Sequence, residues 1–299
     1  MPALFPLGVA LGLTLPSAFA QLRPLVPWLF GLMTLSGALK LKVTEFGNTI
    51  RSPLPIFLFI ISIRVAMPLV AMFTASAFFS ESLDTVIGFV LLFSGPVAVS
   101  SFIWVGIFKG DRALCLTLIL LDTLLAPLAM PGTLAILMGE RIALDAGSIA
   151  LSLVMMVVVP TVIGVAVNEV SREKIPALVC PYLNPVSKLC LMLVIAANSS
   201  VVAPAVRFSD PMLWKISALC VVLSVSSFMM AKLTGIAARC DAEKSVALFF
   251  SGGLKNISAV TTIAVTFFPE AVALPTITGI LFQQSIAAFM GKLVKRSRP

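Results

Sequence analysis

The chain has 299 residues, of which 59% are hydrophobic and 11% charged, with a formal net charge of +8. A soluble domain is nearer half apolar and a quarter charged, so this much charge cannot coat a water-soluble globule, and the bilayer is expected to be the solvent for most of the chain. Nucleic acid is not an expected partner, because the basic residues sit in short breaks between apolar runs.

Ten apolar runs lie between charged or Pro/Gly breaks, at 3–20, 25–39, 53–78, 86–108, 112–138, 146–168, 185–206, 212–236, 245–267 and 271–291. Each is read as a helical span of an all-α membrane protein, although 25–39 is shorter than the usual span. In the first run, Ala18-Phe19-Ala20 before Gln21 looks like a signal-peptidase site. No Lys or Arg precedes the run, however, so it is kept as a span. With ten spans, both termini fall on one face. That face receives fifteen of the 21 Lys and Arg, among them Lys40, Lys109, Arg112, Lys188, Lys232 and Lys244; the other receives four, Arg23, Arg141, Arg207 and Lys215. The positive-inside rule then puts both termini in the cytoplasm of a multi-pass inner-membrane protein.

Five scattered cysteines show no CxxC spacing, there is no histidine, and no GxxxxGK[ST] phosphate loop occurs. Neither a metal site, nor imidazole chemistry, nor ATP-driven transport is expected, and no cofactor is implied. An enzyme reading fails for want of a nucleophile–base pair.

Leu91-Leu92-Phe93-Ser94-Gly95-Pro96 in the fourth run recurs as Leu248-Phe249-Phe250-Ser251-Gly252-Gly253 in the ninth, 157 residues later. The ten spans then divide into two inverted five-helix repeats, about 1–140 and 145–299, with discontinuous helices 4 and 9. Inverted repeats with interrupted helices at matching positions point to a secondary transporter with its site at the breaks. Unwound backbone frees N–H and C=O groups, which are costly in lipid unless they meet protein, a cavity or a ligand.

Gly95-Pro96, Ser101, Lys109-Gly110-Asp111-Arg112-Ala113-Leu114, Leu124-Leu125-Ala126-Pro127, Gly253-Leu254-Lys255-Asn256, Val272-Ala273-Leu274-Pro275 and Met67-Pro68 resemble the bile acid:sodium symporter family. The resemblance implies a panel domain of helices 1, 2, 6 and 7 and a core domain of helices 3–5 and 8–10. It also implies two broken helices crossing near mid-membrane, with sodium sites behind the crossing, and transport of bile acids or smaller organic anions by alternating access. By the same resemblance the first sodium site would use Ser101, but Phe102 stands for its Asn. Its other ligands fall on Cys115, Ile119 and, for the family's acid, Ser251. In the second site Lys255 stands for the Gln, and Ile63 for a third-span Gln, with Arg64 adjacent. Sodium needs hard oxygen ligands, and an ammonium supplies none. Sodium is therefore not an expected partner.

Three ionisable residues lie well inside spans: Arg64, Asp122 and Lys255. A charge there is a functional hypothesis by default. Lys255 is expected to act as a tethered cation in the vacated site, with Asp122 as its counter-charge; otherwise it carries a proton in each cycle, forms a static salt bridge or holds substrate. Arg64 either pairs with Asp122 or faces an anionic substrate. Ser100, Ser101, Asn256, Gln283 and Gln284 are the candidate substrate-binding residues; by the resemblance, Gln284 falls where the family has a substrate-contacting Asn. Asn198-Ser199-Ser200 is a weaker candidate, Trp104 is read as packing, and Pro127, Pro131 and Pro160 as kinks without chemistry. The expected function is carriage of a small organic anion, sodium-independent and either proton-linked or facilitated. The rivals are a monovalent cation/proton antiporter, a sodium symporter with non-standard ligands, an arsenite-type efflux carrier and a non-transporting sensor; short loops speak against the last.

Overall fold

Proline and small residues set where the helices start, loosen and stop. The computed structural model describes residues 4–41, 53–139, 145–204, 206–207 and 209–296. Helices account for all the regular structure among them, with no strand. They are α1 (Leu4–Thr14), α2 (Pro16–Ala20), α3 (Val26–Ala38), α4 (Pro53–Phe78), α5 (Leu83–Ser94), α6 (Ser100–Ile107), α7 (Arg112–Met138), α8 (Ala146–Val170), α9 (Lys174–Val202), α10 (Pro211–Ala237), α11 (Ala242–Gly253), α12 (Ile257–Phe267) and α13 (Glu270–Arg296). Among the described residues, six helices are long and apolar enough to cross a membrane: α4, α7, α8, α9, α10 and α13. With the shorter apolar helices α1, α5 and α12, they make this a multi-pass membrane protein.

Nine of the ten sequence-predicted runs lie on helices whose ends fall within a few residues of the expected ones. The seventh differs. Its helix starts at Lys174, not 185, although Pro181 and Pro185 lie inside it. These two prolines sit four residues apart on an exposed stripe, so the carbonyls they leave without donors face outward rather than into the core. The basic residues Lys42, Arg51, Arg141 and Arg298, and the side chains of Lys295 and Arg296, lie outside the described residues.

Two helices loosen into a π-turn just before a proline. One is Ser62–Ala66 ahead of Pro68, the other Val154–Val158 ahead of Pro160. A proline ring clashes with the carbonyl four residues back, here that of Arg64 and of Met156, and the wider turn relieves the clash. Pro68 therefore sets the backbone on which Arg64 is presented.

Gly8 and Gly12 form a small-xxx-small face that seats α1 on α9. A Cβ at Gly12 would come within 2.3 Å of the Ala196 carbonyl oxygen, so the two backbones touch.

Both interruptions expected at the repeated motif are present, but the glycines act differently from the expectation. Gly95 has ordinary extended backbone, φ −62° and ψ 155°, as the residue before a proline should. It is Pro96 that stops α5. Gly252 and Gly253 are still helical, and α11 unwinds only at Leu254. At Gly253 the need is room, since the Phe228 ring would lie 2.2 Å from a Cβ.

Candidate functional site

The two breaks lie side by side and close most of their freed backbone on each other. Ala98 N–H donates to the Leu254 carbonyl at 3.0 Å, and Asn256 N–H to the Pro96 carbonyl at 2.7 Å. Val97 and Lys255 form an isolated antiparallel bridge. Gln283 of α13 covers the rest of Lys255's backbone: its Oε1 accepts from Lys255 N–H at 2.9 Å, and its Nε2 donates to Lys255 C=O at 3.0 Å. The unwound segments are thus satisfied by protein groups.

Beneath the fourth-run break lies a buried ion pair. Arg64 donates from Nε to Asp122 Oδ1 at 2.7 Å, from Nη2 to the Asp122 carbonyl at 3.0 Å, and from Nη1 to the Ser94 carbonyl at 2.6 Å. Asp122 Oδ2 accepts from Val97 N–H at 2.6 Å. Both side chains are buried. This geometry bonds the carboxylate of Asp122, the expected counter-charge of Lys255, to Arg64 and to Val97 N–H, with no hydrogen bond to Lys255. It also resolves Arg64, which is bound to Asp122 and to the C-terminal carbonyl of a half-helix rather than facing a substrate. A guanidinium here meets the negative end of α5, as a bound cation would.

Lys255 is different. Its side chain is buried, 2% exposed, and Nζ has no hydrogen-bond partner among the described residues. It lines a cavity of about 170 Å³. Of the candidate residues, Ser100, Asn256, Gln283 and Gln284 line the same cavity, together with Thr34, Thr123 and Thr161, which the sequence reading missed. Asn256 also caps α12, accepting from Ala259 N–H at 3.4 Å. Gln284 Oε1 accepts from the Trp104 indole at 3.1 Å, and Trp104 stacks on Phe108 and Phe250. Trp104 is therefore packing, with the added task of orienting Gln284. The missed threonines carry one signal, a hydroxyl on an apolar helix, which in isolation does not separate lining from packing. Thr123 has a second: Pro127, four residues on, has no N–H to donate to its carbonyl.

Ser101 and Ser251 do not line this cavity. They flank a buried thiol. Ser251 Oγ donates to Cys115 Sγ at 3.4 Å, and Ser101 Oγ lies 3.7 Å from the same sulfur. Ser101 also donates to the Ala98 carbonyl at 2.7 Å, and the Phe102 ring lies under the Arg112 guanidinium at 5.9 Å. The trio offers two hydroxyls and a sulfur, with no carboxylate, a poor set for a hard cation. Asn198 donates to Thr262 Oγ1 at 2.9 Å, joining α9 to α12 away from the cavity.

Comparison with known proteins agrees with this architecture. A model of the sodium bile acid symporter family matches residues 27–206. The uncharacterized protein YbaS of Bacillus subtilis is 36% identical over 296 residues, 99% of this chain and 97% of that protein. The uncharacterized sodium-dependent transporter YocS of the same organism is 25% identical over 165 residues, 55% of this chain and 51% of that one. The probable chloroplastic sodium/metabolite cotransporter BASS3 of Arabidopsis thaliana is 23% identical over 297 residues, 97% of this chain and 67% of that one. With its apolar spans, its paired helix breaks and a family match over more than half its length, the chain belongs to the sodium bile acid symporter family of membrane transporters.

Proposed function

We propose that the protein carries a small organic anion across the membrane by alternating access without sodium, and that Lys255 meets the anion's charge. The observation that carries this reading is the buried Lys255 Nζ, unpartnered among the described residues and lining a cavity whose other polar groups are hydroxyls and amides. Asp122 is bonded to Arg64, which leaves the Lys255 ammonium without a bonded counter-ion beside the cavity. A buried ammonium without an acceptor is costly, and a carboxylate or sulfonate supplies the missing acceptor at strong, charge-assisted distance. Sodium would add a further positive charge there and would meet Lys255, Ile63 and the Cys115 thiol where the resemblance implies its ligands, with Arg64 adjacent. Size also constrains the cargo. A cavity of about 170 Å³ is comparable with one of roughly 150 Å³ that holds benzene, so the anion is nearer benzoate than a sterol.

The same reading takes the chain as ten spans in two inverted five-helix repeats, 1–140 and 145–299, with both termini cytoplasmic. The helical breaks 157 residues apart, paired through their backbones, support it. A cation/proton antiporter is less well supported, because both oxygens of Asp122 are taken.

The test is uptake by proteoliposomes of radiolabelled pyruvate, 2-oxoisovalerate, benzoate and taurocholate under sodium, proton or no imposed gradient. Uptake of a small carboxylate is expected to be indifferent to replacing sodium by choline and lost in Lys255→Gln. Acceleration by an inward proton gradient would assign Lys255 a proton as well as the anion. Stimulation by sodium would overturn the reading.

A further inference from the structure

We propose that the polar cleft between the C-terminal end of α3 and α9, carrying Lys40 and Lys188, is the route by which the anion reaches Lys255; this rests on the anion-carrier reading above. The cleft and the Lys255 cavity are neighbours, since Met33, Gly37 and Leu191 line both. The cleft has a volume of about 370 Å³ and is otherwise lined by Ser36, Lys40, Asn184, Ser187 and Lys188. Among the described residues, neither space has an Asp or Glu on its wall. Lys40 and Lys188 are exposed, and Lys255 at the inner end is buried. An anion moving inward thus meets cations of one sign at the mouth and again at the end.

The path runs one way only along α9. Its middle, Asn184 to Leu191, borders the cleft, whereas Val194–Val202 is buried throughout and is tied to α12 by the Asn198–Thr262 bond. Lys188 is one helical turn from Leu191, about 4.5 Å along the axis, so its charge acts at the neck of the passage. A low-dielectric cleft lined by one sign of charge focuses potential and raises the local concentration of the opposite ion. Lys40 also reaches across the mouth, Nζ donating to Asn184 Oδ1 at 2.5 Å. This bond joins α3 to α9 and holds the ammonium over the opening.

Thiol chemistry tests the route without knowledge of the cargo. In a chain whose five native cysteines are replaced by alanine, Ser187→Cys reports on the cleft and Ser100→Cys on the Lys255 cavity. Each is reacted with methanethiosulfonates bearing a sulfonate or a trimethylammonium group, applied from either face of sealed vesicles. Both positions should react from the Lys40 face. The anionic-to-cationic rate ratio should fall several-fold at high salt and in Lys40→Gln/Lys188→Gln, with Lys40→Gln alone intermediate and Lys40→Arg/Lys188→Arg unchanged. A ratio indifferent to the Gln changes, or reaction of Ser100→Cys only from the opposite face, would overturn the route. If Lys255→Gln abolishes carboxylate uptake while the Gln variants leave both ratio and uptake alone, the route fails and the anion carrier stands. If the ratio responds but uptake requires sodium, the route stands and the sodium-free reading fails.

Discussion

Gln283 grips Lys255 by its backbone on both sides, accepting its N–H at 2.9 Å and donating to its carbonyl at 3.0 Å. One side chain from α13 therefore fixes the break between α11 and α12 and presents the Lys255 side chain to the cavity. Gln283→Leu leaves the buried Lys255 N–H unpaired, at about 1–3 kcal/mol, while the Lys255 carbonyl keeps its bond from Ile257 N–H at 2.9 Å. Tryptophan-fluorescence melting in detergent should show the loss, and uptake should fall with it. An unchanged melting temperature would mean that the break is held by its pairing with Val97 and Ala98 alone.

Asp122→Asn removes the charge opposite Arg64 and leaves a buried guanidinium without its counter-ion. Breaking such a pair costs about 3–5 kcal/mol. Replacing both partners, Arg64→Met with Asp122→Leu, should recover only part of this. Val97 N–H and the Ser94 carbonyl would still lose the bonds they now make to Asp122 and Arg64. Equilibrium unfolding of Arg64→Met, Asp122→Leu and the double variant reads the coupling directly.

Lys255→Met should behave in the opposite way. No hydrogen bond is lost, since Nζ makes none among the described residues, and a charge without a bonded partner is removed from a buried site. Stability is expected to hold or rise, while carboxylate binding measured by thermal shift falls at least about tenfold, the equivalent of one charge-assisted contact. A variant that melts early and still binds would place Lys255 in the framework instead.

Gly12→Ala sets a methyl against the Ala196 carbonyl oxygen at 2.3 Å. Either α1 lifts from α9 or the pair shifts, with a cost of about 1–3 kcal/mol, as for overpacking. Gly8→Ala, whose nearest contacts are at 3.0 Å, should cost less. The order of the two melting temperatures checks the seat of α1.

Asp241 caps α11, accepting from Lys244 N–H at 2.8 Å. That backbone bond holds its carboxyl below the ordinary value of about 3.9. Its contribution is therefore complete above that pH and lost as pH falls through the lowered folded value. Asp241→Asn keeps an acceptor at the cap but does not titrate. The small stability gap between the two proteins at neutral pH should close on acidification below about pH 4. A gap that persists there would show that charge at the cap is irrelevant.

The amino-acid sequence was sufficient for the membrane class, the positions of nearly all the helices and the two interruptions. These depend on patterns read along one chain: apolar run length against bilayer thickness, Pro96 stopping a helix, and a motif repeated 157 residues on. The unexpected start of α9 at Lys174 shows the limit, because whether Pro181 and Pro185 end a helix depends on which way their orphaned carbonyls face. The pairing of charges was beyond the sequence for a related reason. Arg64, Asp122 and Lys255 were all visible as intramembrane ions. Which cation holds the carboxylate, however, depends on distances between helices far apart in the chain, and those distances follow from packing. The π-turn before Pro68 and the descent of Val97 N–H onto Asp122 give Arg64 the carboxylate and leave Lys255 to the cavity. Only the tertiary structure made that choice, because a buried carboxylate goes to the donors whose geometry satisfies both of its oxygens.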